Sequence, residues 1–201
     1  MPLIHSTDRI AQLAYAVVVA CLLGFGVIAA IGRRGAAKTD AKRDLKSSVG
    51  FLLQLLAYAM CFIFYRASFR ALFPMPGPTE NIFAAFTMLL AVVSTWFCQV
   101  SARALGRQWA LMARVIEGHE LIAQGPYALV RNPIYLAMFG MQIAAGLAFS
   151  SWQGFLAATG LFLAGTWIRI HTEEKLLRET FGAKFDSYAR RVPALLPRLQ
   201  R

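Results

Sequence analysis

Long apolar segments constrain this chain more than any other feature of its sequence. A helix needs about 20 residues to cross the hydrocarbon core of a bilayer. Five segments of the 201-residue chain reach or approach that length: Ile10 to Ile31, Val49 to Phe73, Ile82 to Ser101, Pro133 to Phe149 and Trp152 to Arg169. The chain is 58% hydrophobic and only 15% charged, too apolar for a soluble domain of this size. The sequence therefore predicts an all-α integral membrane protein with five transmembrane helices.

The connections between these segments carry two further predictions. Only Ser150 and Ser151 separate the fourth segment from the fifth, so we expect a tight antiparallel hairpin of helices. The first apolar run is about 21 residues long and its charges follow it, whereas a signal peptide has a run of ~7 to 15 residues preceded by charge. We interpret the first segment as a retained span.

The basic residues predict the orientation in the membrane. Of 21 lysines and arginines, six lie in residues 33–46, four in 103–131 and eight in 169–201, whereas the connections 74–81 and 150–151 carry none. Basic loops face the cytoplasm, so five spans predict an N-out, C-in multi-pass protein of the bacterial inner membrane. The net charge of +11 then reflects topology and contact with anionic membrane lipids. A nucleic-acid partner is not expected, since the sequence has no groove-reading motif or stacking platform.

The chain divides functionally near Ser101. Residues 1–101 form a three-span scaffold with a cytoplasmic linker at 32–48, and residues 102–201 contain the polar hinge, the hairpin and a cytoplasmic tail. In that tail Gly182 is placed to end a helix. The three cysteines and three histidines lack the spacing of a metal site, so no metal is predicted.

The hinge from His119 to Tyr135 reads H-E-L-I-A-Q-G-P-Y-A-L-V-R-N-P-I-Y. Gly125-Pro126 is typical of a turn, and Asn132-Pro133 is typical of a helix N-cap followed by proline. Capping explains Asn132 and Pro133, but it does not explain why Arg131, Tyr127, Tyr135 and His119 lie around that cap. We therefore expect the chemistry of the chain at this hinge.

A pair of charged residues lies at the end of the fifth segment. Arg169 and Glu173 are four residues apart, so they share one face of a helix that is leaving the membrane. A stabilising salt bridge is one interpretation. The other is that each charge binds a ligand, because an arginine fork matches a carboxylate or phosphate and a glutamate accepts from ammonium or hydroxyl groups.

From Ala102 to Pro197 the chain resembles the isoprenylcysteine carboxyl methyltransferase family and its relatives among membrane phospholipid methyltransferases. The resemblance rests on the order and spacing of L-G-R-Q-W, H-E-L-I, G-P-Y, V-R-N-P-I-Y, R-I-H-T-E-E and F-G-A-K-F-D-S-Y-A-R-R-V-P. It implies a helical enzyme that binds S-adenosylmethionine in a cytoplasm-facing pocket and admits a lipophilic acceptor from the bilayer.

The same resemblance implies the site residues. Arg169 would position the acceptor, and the cofactor-binding positions would be His119, Glu120, Leu121, Ile122, Tyr127, Asn132, Pro133, Ile134, Tyr135 and Glu173. Asn132 stands where the family typically has histidine. Asparagine keeps hydrogen-bonding capacity but cannot carry a positive charge.

A carboxylate is the acceptor that the sequence favours, because its methylation needs no general base. Methylation of a phospholipid or small amine is the alternative, with Glu120 or Glu174 as the base. A sterol-reductase-like enzyme that binds a nicotinamide cofactor and a non-catalytic membrane subunit remain as further alternatives. The acceptor itself, a small lipophilic molecule or a lipidated substrate, and the oligomeric state stay open.

Overall fold

The computed structural model describes residues 6–35, 45–65, 77–106 and 120–197. The regular structure within these ranges is helical and comprises α1 (Ser6–Gly35), α2 (Leu45–Ile63), α3 (Gly77–Leu105), α4 (Pro126–Leu129), α5 (Pro133–Phe149), α6 (Trp152–Phe181) and α7 (Ala183–Arg191). The predicted all-α fold is therefore confirmed.

Two of these helices are long and apolar enough to cross a membrane. They are the parts of α1 and α3 that span Arg9–Gly32 and Thr79–Leu105. Two shorter apolar helices cover Ser47–Ile63 and Pro133–Phe149. This architecture is that of a helical membrane protein, and the many exposed leucine, valine and phenylalanine side chains on α1 to α3 agree with it, since lipid rather than water can cover them.

The second predicted segment and the helix that it contains have different C-terminal ends. The apolar pattern predicts a segment that continues to Phe73, but α2 ends at Ile63, and residues 66–76 lie outside the described ranges. The chain leaves the helix because it pairs with the hairpin turn. The backbone N–H of Ser151 donates to the carbonyl of Phe64 at 2.8 Å, and Tyr65 forms a bridge with Ser150.

The fifth segment also continues further than its apolar part. Helix α6 runs without interruption past Arg169 to Phe181, so 30 residues give a helix of about 45 Å. Gly182 follows it with a φ of 49°, a conformation that glycine adopts without strain, and this confirms the predicted helix end.

The helices alternate in direction, which gathers the polar residues at one end of the bundle. Ile28 and Cys98, near the C-terminal ends of α1 and α3, share a cluster with Ala137 near the start of α5. Gly50, near the start of α2, lies against Arg169 of α6. The end of α1, the start of α2 and the hinge before α5 therefore lie at the same end of the bundle as Arg169.

Glycines allow α2 and α6 to approach closely at this end. A Cβ atom at Gly50 would lie 2.8 Å from the carbonyl oxygen of Gly165 and 2.6 Å from Cγ of Arg169. A Cβ atom at Gly165 would lie 2.6 Å from the carbonyl oxygen of Gly50. Both positions exclude a side chain, and the backbone contact they permit sets the position of Arg169 relative to α2.

Candidate functional site

The hinge folds into a compact turn before α5. Gly125 has a φ of 59° and is followed by Pro126 at the first position of the short α4, so the turn chemistry of the sequence is confirmed. Tyr127 is buried in this turn, and its carbonyl accepts a 2.6 Å hydrogen bond from the hydroxyl of Tyr188 on α7. The cytoplasmic tail predicted from the sequence thus packs against the hinge.

Asn132 has the position of an N-cap but not its side-chain contact. Helix α5 begins at Pro133, and the carbonyl of Asn132 accepts from the N–H of Leu136 at 3.2 Å. The amide side chain makes no capping bond; it donates to the carbonyl of Ala194 at 3.0 Å and reaches Glu174 Oε1 at 3.4 Å. The predicted N-cap position is therefore confirmed, while the side-chain amide of Asn132 links the start of α5 to the tail.

Arg131 connects the hinge, α6 and the tail. Its Nε donates to Oε1 of Glu174 at 2.9 Å and its Nη2 donates to Oε2 at 3.0 Å, which is a bidentate ion pair. Its Nη1 donates to the carbonyls of Ala189 and Val192. Arg131 therefore engages both carboxylate oxygens of Glu174, the residue that the sequence offered as one candidate base.

Arg169, Glu173 and Tyr135 form a second polar cluster. The Arg169 side chain is 5% exposed, and its Nη2 lies 3.5 Å from Oε1 of Glu173, so the expected i,i+4 pair forms. The hydroxyl of Tyr135 donates to the same carboxylate oxygen. The guanidinium lies over the rings of Tyr135 and Phe51, at 5.1 and 5.5 Å from their centroids.

Gln54 belongs to this cluster, and the sequence reasoning missed it. Its Oε1 accepts from Nη1 of Arg169 at 3.1 Å, and its Nε2 donates to the hydroxyl of Thr166 at 2.9 Å. The side chain is fully buried between α2 and α6. A lone glutamine inside the apolar run G-F-L-L-Q-L-L-A was the available signal, since a polar residue in a span needs a partner.

Burial shapes the ionisation of the groups outside the apolar segments. Loss of water raises the pKa of Glu173 above its ordinary value of 4.5, and the nearby Arg169 charge and the Tyr135 hydroxyl oppose that rise. Burial also raises the pKa of Tyr127 well above its usual range, and the Glu173 charge adds to this effect.

An apolar cavity of about 350 Å³ adjoins the Arg169 cluster. Residues from α1, α2, α3, α5 and α6 line it, and most of the wall is aliphatic or aromatic. Arg169 and Tyr135 lie in that wall, and they also contact Glu173. The cavity can hold the apolar part of a ligand while its polar end meets a guanidinium.

Only some of the residues expected at the site lie together in the structure. Tyr135, Arg169 and Glu173 are in direct contact, and Ile134 lines the apolar cavity beside them. Glu120 is exposed in the segment before the turn, followed by the partly exposed Leu121 and Ile122, whereas Pro133 is fully buried. His119 lies outside the described residues.

The class of protein that these features define is a helical membrane protein with a polar cluster at the edge of an apolar cavity. Residues 82–184 match the family described as phospholipid methyltransferase, just over half of the chain. The protein belongs to this family of membrane methyltransferases, which includes the isoprenylcysteine carboxyl methyltransferase-like enzymes.

Two curated relatives are similar to part of the chain. The nickel-cobalt-cadmium resistance protein NccN of Alcaligenes xylosoxydans xylosoxydans is 33% identical over 113 residues, which is 54% of this chain and 51% of the relative. The cobalt-zinc-cadmium resistance protein CzcN of Cupriavidus metallidurans is 33% identical over 105 residues, 50% of this chain and 46% of the relative. The chain thus spans about half the length of the curated relatives it matches.

Proposed function

We propose that this protein is a multi-pass S-adenosylmethionine-dependent methyltransferase whose acceptor is a lipophilic molecule with a carboxylate group. One juxtaposition carries the proposal: Arg169 and Tyr135 line the apolar cavity and also contact Glu173. A ligand held by Glu173 and a second ligand in the cavity would meet at these two side chains. That is the arrangement a two-substrate transfer requires.

The residues around Glu173 fit the cofactor. The Glu173 side chain is 25% exposed, so its carboxylate can accept hydrogen bonds from ammonium or hydroxyl groups and can attract a nearby sulfonium. When bound, S-adenosylmethionine supplies a methyl group that the positive sulfur makes electrophilic. The resemblance assigns His119, Glu120, Leu121, Ile122 and Tyr127 to the same side of the site.

Arg169 suits an acceptor that carries a negative charge. The planar guanidinium can bind a carboxylate through two parallel hydrogen bonds, and the apolar wall would hold the lipophilic part. A carboxylate loses its charge as it is methylated, so a dry cavity favours the transfer once the head group is held in line. The residues of the chain then bind, orient and exclude water, and none has to take a proton from the acceptor.

Methylation of a phospholipid amine is the second candidate, because the family description names phospholipids. It would place an amine beside the Arg169 charge, and that amine would have to be neutral to attack. Glu174, one candidate base, is held by Arg131. These two observations favour the carboxylate.

The same proposal includes five spans with the catalytic face in the cytoplasm. The alternating directions of the helices support it. Cysteine labelling from either side should place residues 35–46 and the tail beyond Glu179 on one face, and residues 76–79 on the other. Labelling of the linker and the tail from opposite sides would remove the shared cytoplasmic site.

Calorimetry on the purified protein tests the cofactor. We expect binding of S-adenosylmethionine and of its demethylated product, and no binding of NADPH. Nicotinamide binding without a response to either sulfur cofactor would support the reductase alternative, and no binding of any of them would support the non-catalytic subunit. Mass-shift profiling of lipids and small acids with labelled cofactor would then identify the acceptor and show whether oxygen or nitrogen is methylated.

A further inference from the structure

Gln54 is a fully buried amide to which the proposed reaction assigns no role. Its two ends have different partners, since Oε1 accepts from Nη1 of Arg169 at 3.1 Å and Nε2 donates to Thr166 at 2.9 Å. Reversing the amide would set donor against donor at Arg169, so one orientation satisfies both contacts. Gln54 therefore presents a fixed acceptor to the guanidinium.

The backbone around Gln54 keeps this geometry rigid. Gly50 lies one helical turn before Gln54, and Gly165 lies next to Thr166 in the sequence. Helices α2 and α6 are in contact at these glycines, so they cannot move relative to each other without losing that contact. The distance from the Gln54 amide to Arg169 is thus set by the packing of two helices rather than by a mobile loop.

A neutral partner has a consequence for charge. The amide of Gln54 accepts a hydrogen bond from Arg169 but does not neutralise it, whereas Glu174 neutralises Arg131 through two hydrogen bonds. The charged partner of Arg169, Glu173, lies at 3.5 Å and also accepts from the hydroxyl of Tyr135. Arg169 also lines the cavity, so its guanidinium borders the space that a ligand would occupy.

The cavity surrounds this charge with apolar groups. Its wall is mostly aliphatic and aromatic, and Arg169 is the charged residue in that wall. A ligand with an apolar body and an anionic head matches both features.

We infer that Gln54 is a positioning and specificity residue that holds Arg169 as a cationic anchor and so selects an acceptor with an apolar body and an anionic head. This inference rests on the proposed function, because it names the substrate class of the same site. Gln54 is not among the residues that line the cavity; it acts through Arg169.

Three probes with the same tail test the selection in the wild-type protein. Decanoate, 1-decanol and decylamine differ only in the head group, and each is titrated calorimetrically into protein in lipid nanodiscs, with empty nanodiscs subtracted. A charge-assisted hydrogen bond predicts that decanoate binds about tenfold more tightly than decanol, or better, and decylamine most weakly. Equal binding of decanoate and decanol would overturn the inference.

Variants then assign the preference to Gln54. Gln54→Glu places a negative charge beside Arg169 and should remove most of the preference for decanoate while decanol binding stays unchanged. Gln54→Met keeps the volume but removes the acceptor, and it should lower the preference by less than Gln54→Glu does. Thr166→Val frees one end of the amide and should have a smaller effect. Gln142→Met is the matched control, since Gln142 is equally buried on α5 and its amide contacts Cys61 instead.

The outcomes separate the inference from the function on which it rests. If Gln54 only fills space, its variants will weaken decanoate and decanol alike, and Gln142→Met will do the same. A wild-type protein that does not bind S-adenosylmethionine contradicts the proposed function. Intact cofactor binding with an unchanged decanoate preference in Gln54→Glu contradicts the inference alone. If Gln54→Met does not fold, Gln54→Glu and Thr166→Val decide the question in the same way.

Discussion

Two arginine–glutamate pairs contain adjacent glutamates of α6, Glu173 and Glu174, and the two pairs contact different parts of the molecule. Glu174 pairs with Arg131, 43 residues away in the sequence, through two hydrogen bonds of 2.9 and 3.0 Å. Glu173 pairs with Arg169, four residues away on the same helix, at 3.5 Å. The first pair joins three parts of the chain, whereas the second borders a cavity.

The difference supports the proposal that the Arg131–Glu174 pair is structural and the Arg169–Glu173 pair binds ligands. Each guanidinium nitrogen of Arg131 donates to a protein acceptor, so this pair stabilises the hinge and tail and has little capacity for a ligand. The Arg169 pair has looser geometry and a neutral partner in Gln54. Burial alone does not separate them, since the side chains of Arg131 and Arg169 are 12% and 5% exposed.

The largest effect on stability should come from Arg131→Leu. The change leaves Glu174 without its partner and removes the donors to the tail carbonyls, and breaking a buried pair costs about 3 to 5 kcal/mol. Thermal unfolding in detergent should show a large fall in Tm, while the folded fraction binds S-adenosylmethionine with the wild-type Kd. A loss of cofactor affinity at unchanged Tm would place Arg131 in the binding site and erase the contrast between the pairs.

The sequence predicts the helices that carry these two ion pairs better than it predicts which residues pair. The i,i+4 spacing alone brings Arg169 and Glu173 together, and proline and glycine patterns locate the turn at Gly125 and the helix end at Gly182. The Arg131–Glu174 pair depends on how α6 packs against the hinge, which no local spacing encodes. Residue spacing predicts contacts within a helix because the geometry of a helix is local.

The same limit explains the end of α2 and the role of Asn132. The apolar pattern continues to Phe73, so only the pairing of Phe64 with Ser151 of the hairpin turn reveals where the helix stops. Asn132 caps α5 as its sequence context predicts, but its side-chain amide donates to the carbonyl of Ala194, 62 residues away. Long-range hydrogen bonds thus accompany the end of α2 and determine the partner of the Asn132 side chain.

The next largest effect should be on turnover in Arg169→Lys. Lysine keeps the charge but cannot reproduce the planar fork or the contacts with Gln54 and the aromatic rings. We expect methyl transfer to fall about a hundredfold, equivalent to ~2.7 kcal/mol of transition-state binding, with cofactor Kd nearly unchanged. Rates are measured with labelled cofactor and the acceptor found by mass-shift profiling. Normal turnover would reduce this pair to architecture.

Glu173→Gln should instead weaken cofactor binding. Loss of a charge-assisted hydrogen bond predicts a change of roughly 1 to 3 kcal/mol in the binding free energy. Tm should not fall, because burial raises the pKa of Glu173 and so its ionised form costs stability at neutral pH. Glu174→Gln is the matched control on the adjacent residue, and it should lower Tm while leaving Kd unchanged. Equal losses of Tm in both variants would mean that the two pairs are alike.

A pH titration sharpens the assignment of Glu173. Its pKa is raised in the folded protein, so the stability it contributes is present below its ordinary value of 4.5 and is lost as pH rises through the folded pKa. Binding of a cationic or hydroxyl ligand needs the ionised carboxylate, so the opposite trend is expected for affinity. Cofactor Kd should rise up to about tenfold per unit as pH falls below the folded pKa, and Glu173→Gln should remove that dependence. A slope that persists in the variant would assign the titration to another group.

The smallest effect should come from Tyr188→Phe, on the structural side of the comparison. The ring of residue 188 would still pack edge-on against Phe185, at 6.3 Å between centroids, but the 2.6 Å hydrogen bond to the carbonyl of Tyr127 would be lost. A single neutral hydrogen bond contributes about 1 kcal/mol, so Tm should fall slightly and the pH dependence of cofactor binding should stay the same. Tyr127 is also an expected cofactor contact, which makes this variant informative. If α7 only stabilises the hinge, the cofactor Kd will not change. A clear loss of affinity at nearly unchanged Tm would show that the tail positions the cofactor side of the site. The division between a structural pair and a binding pair would then no longer hold.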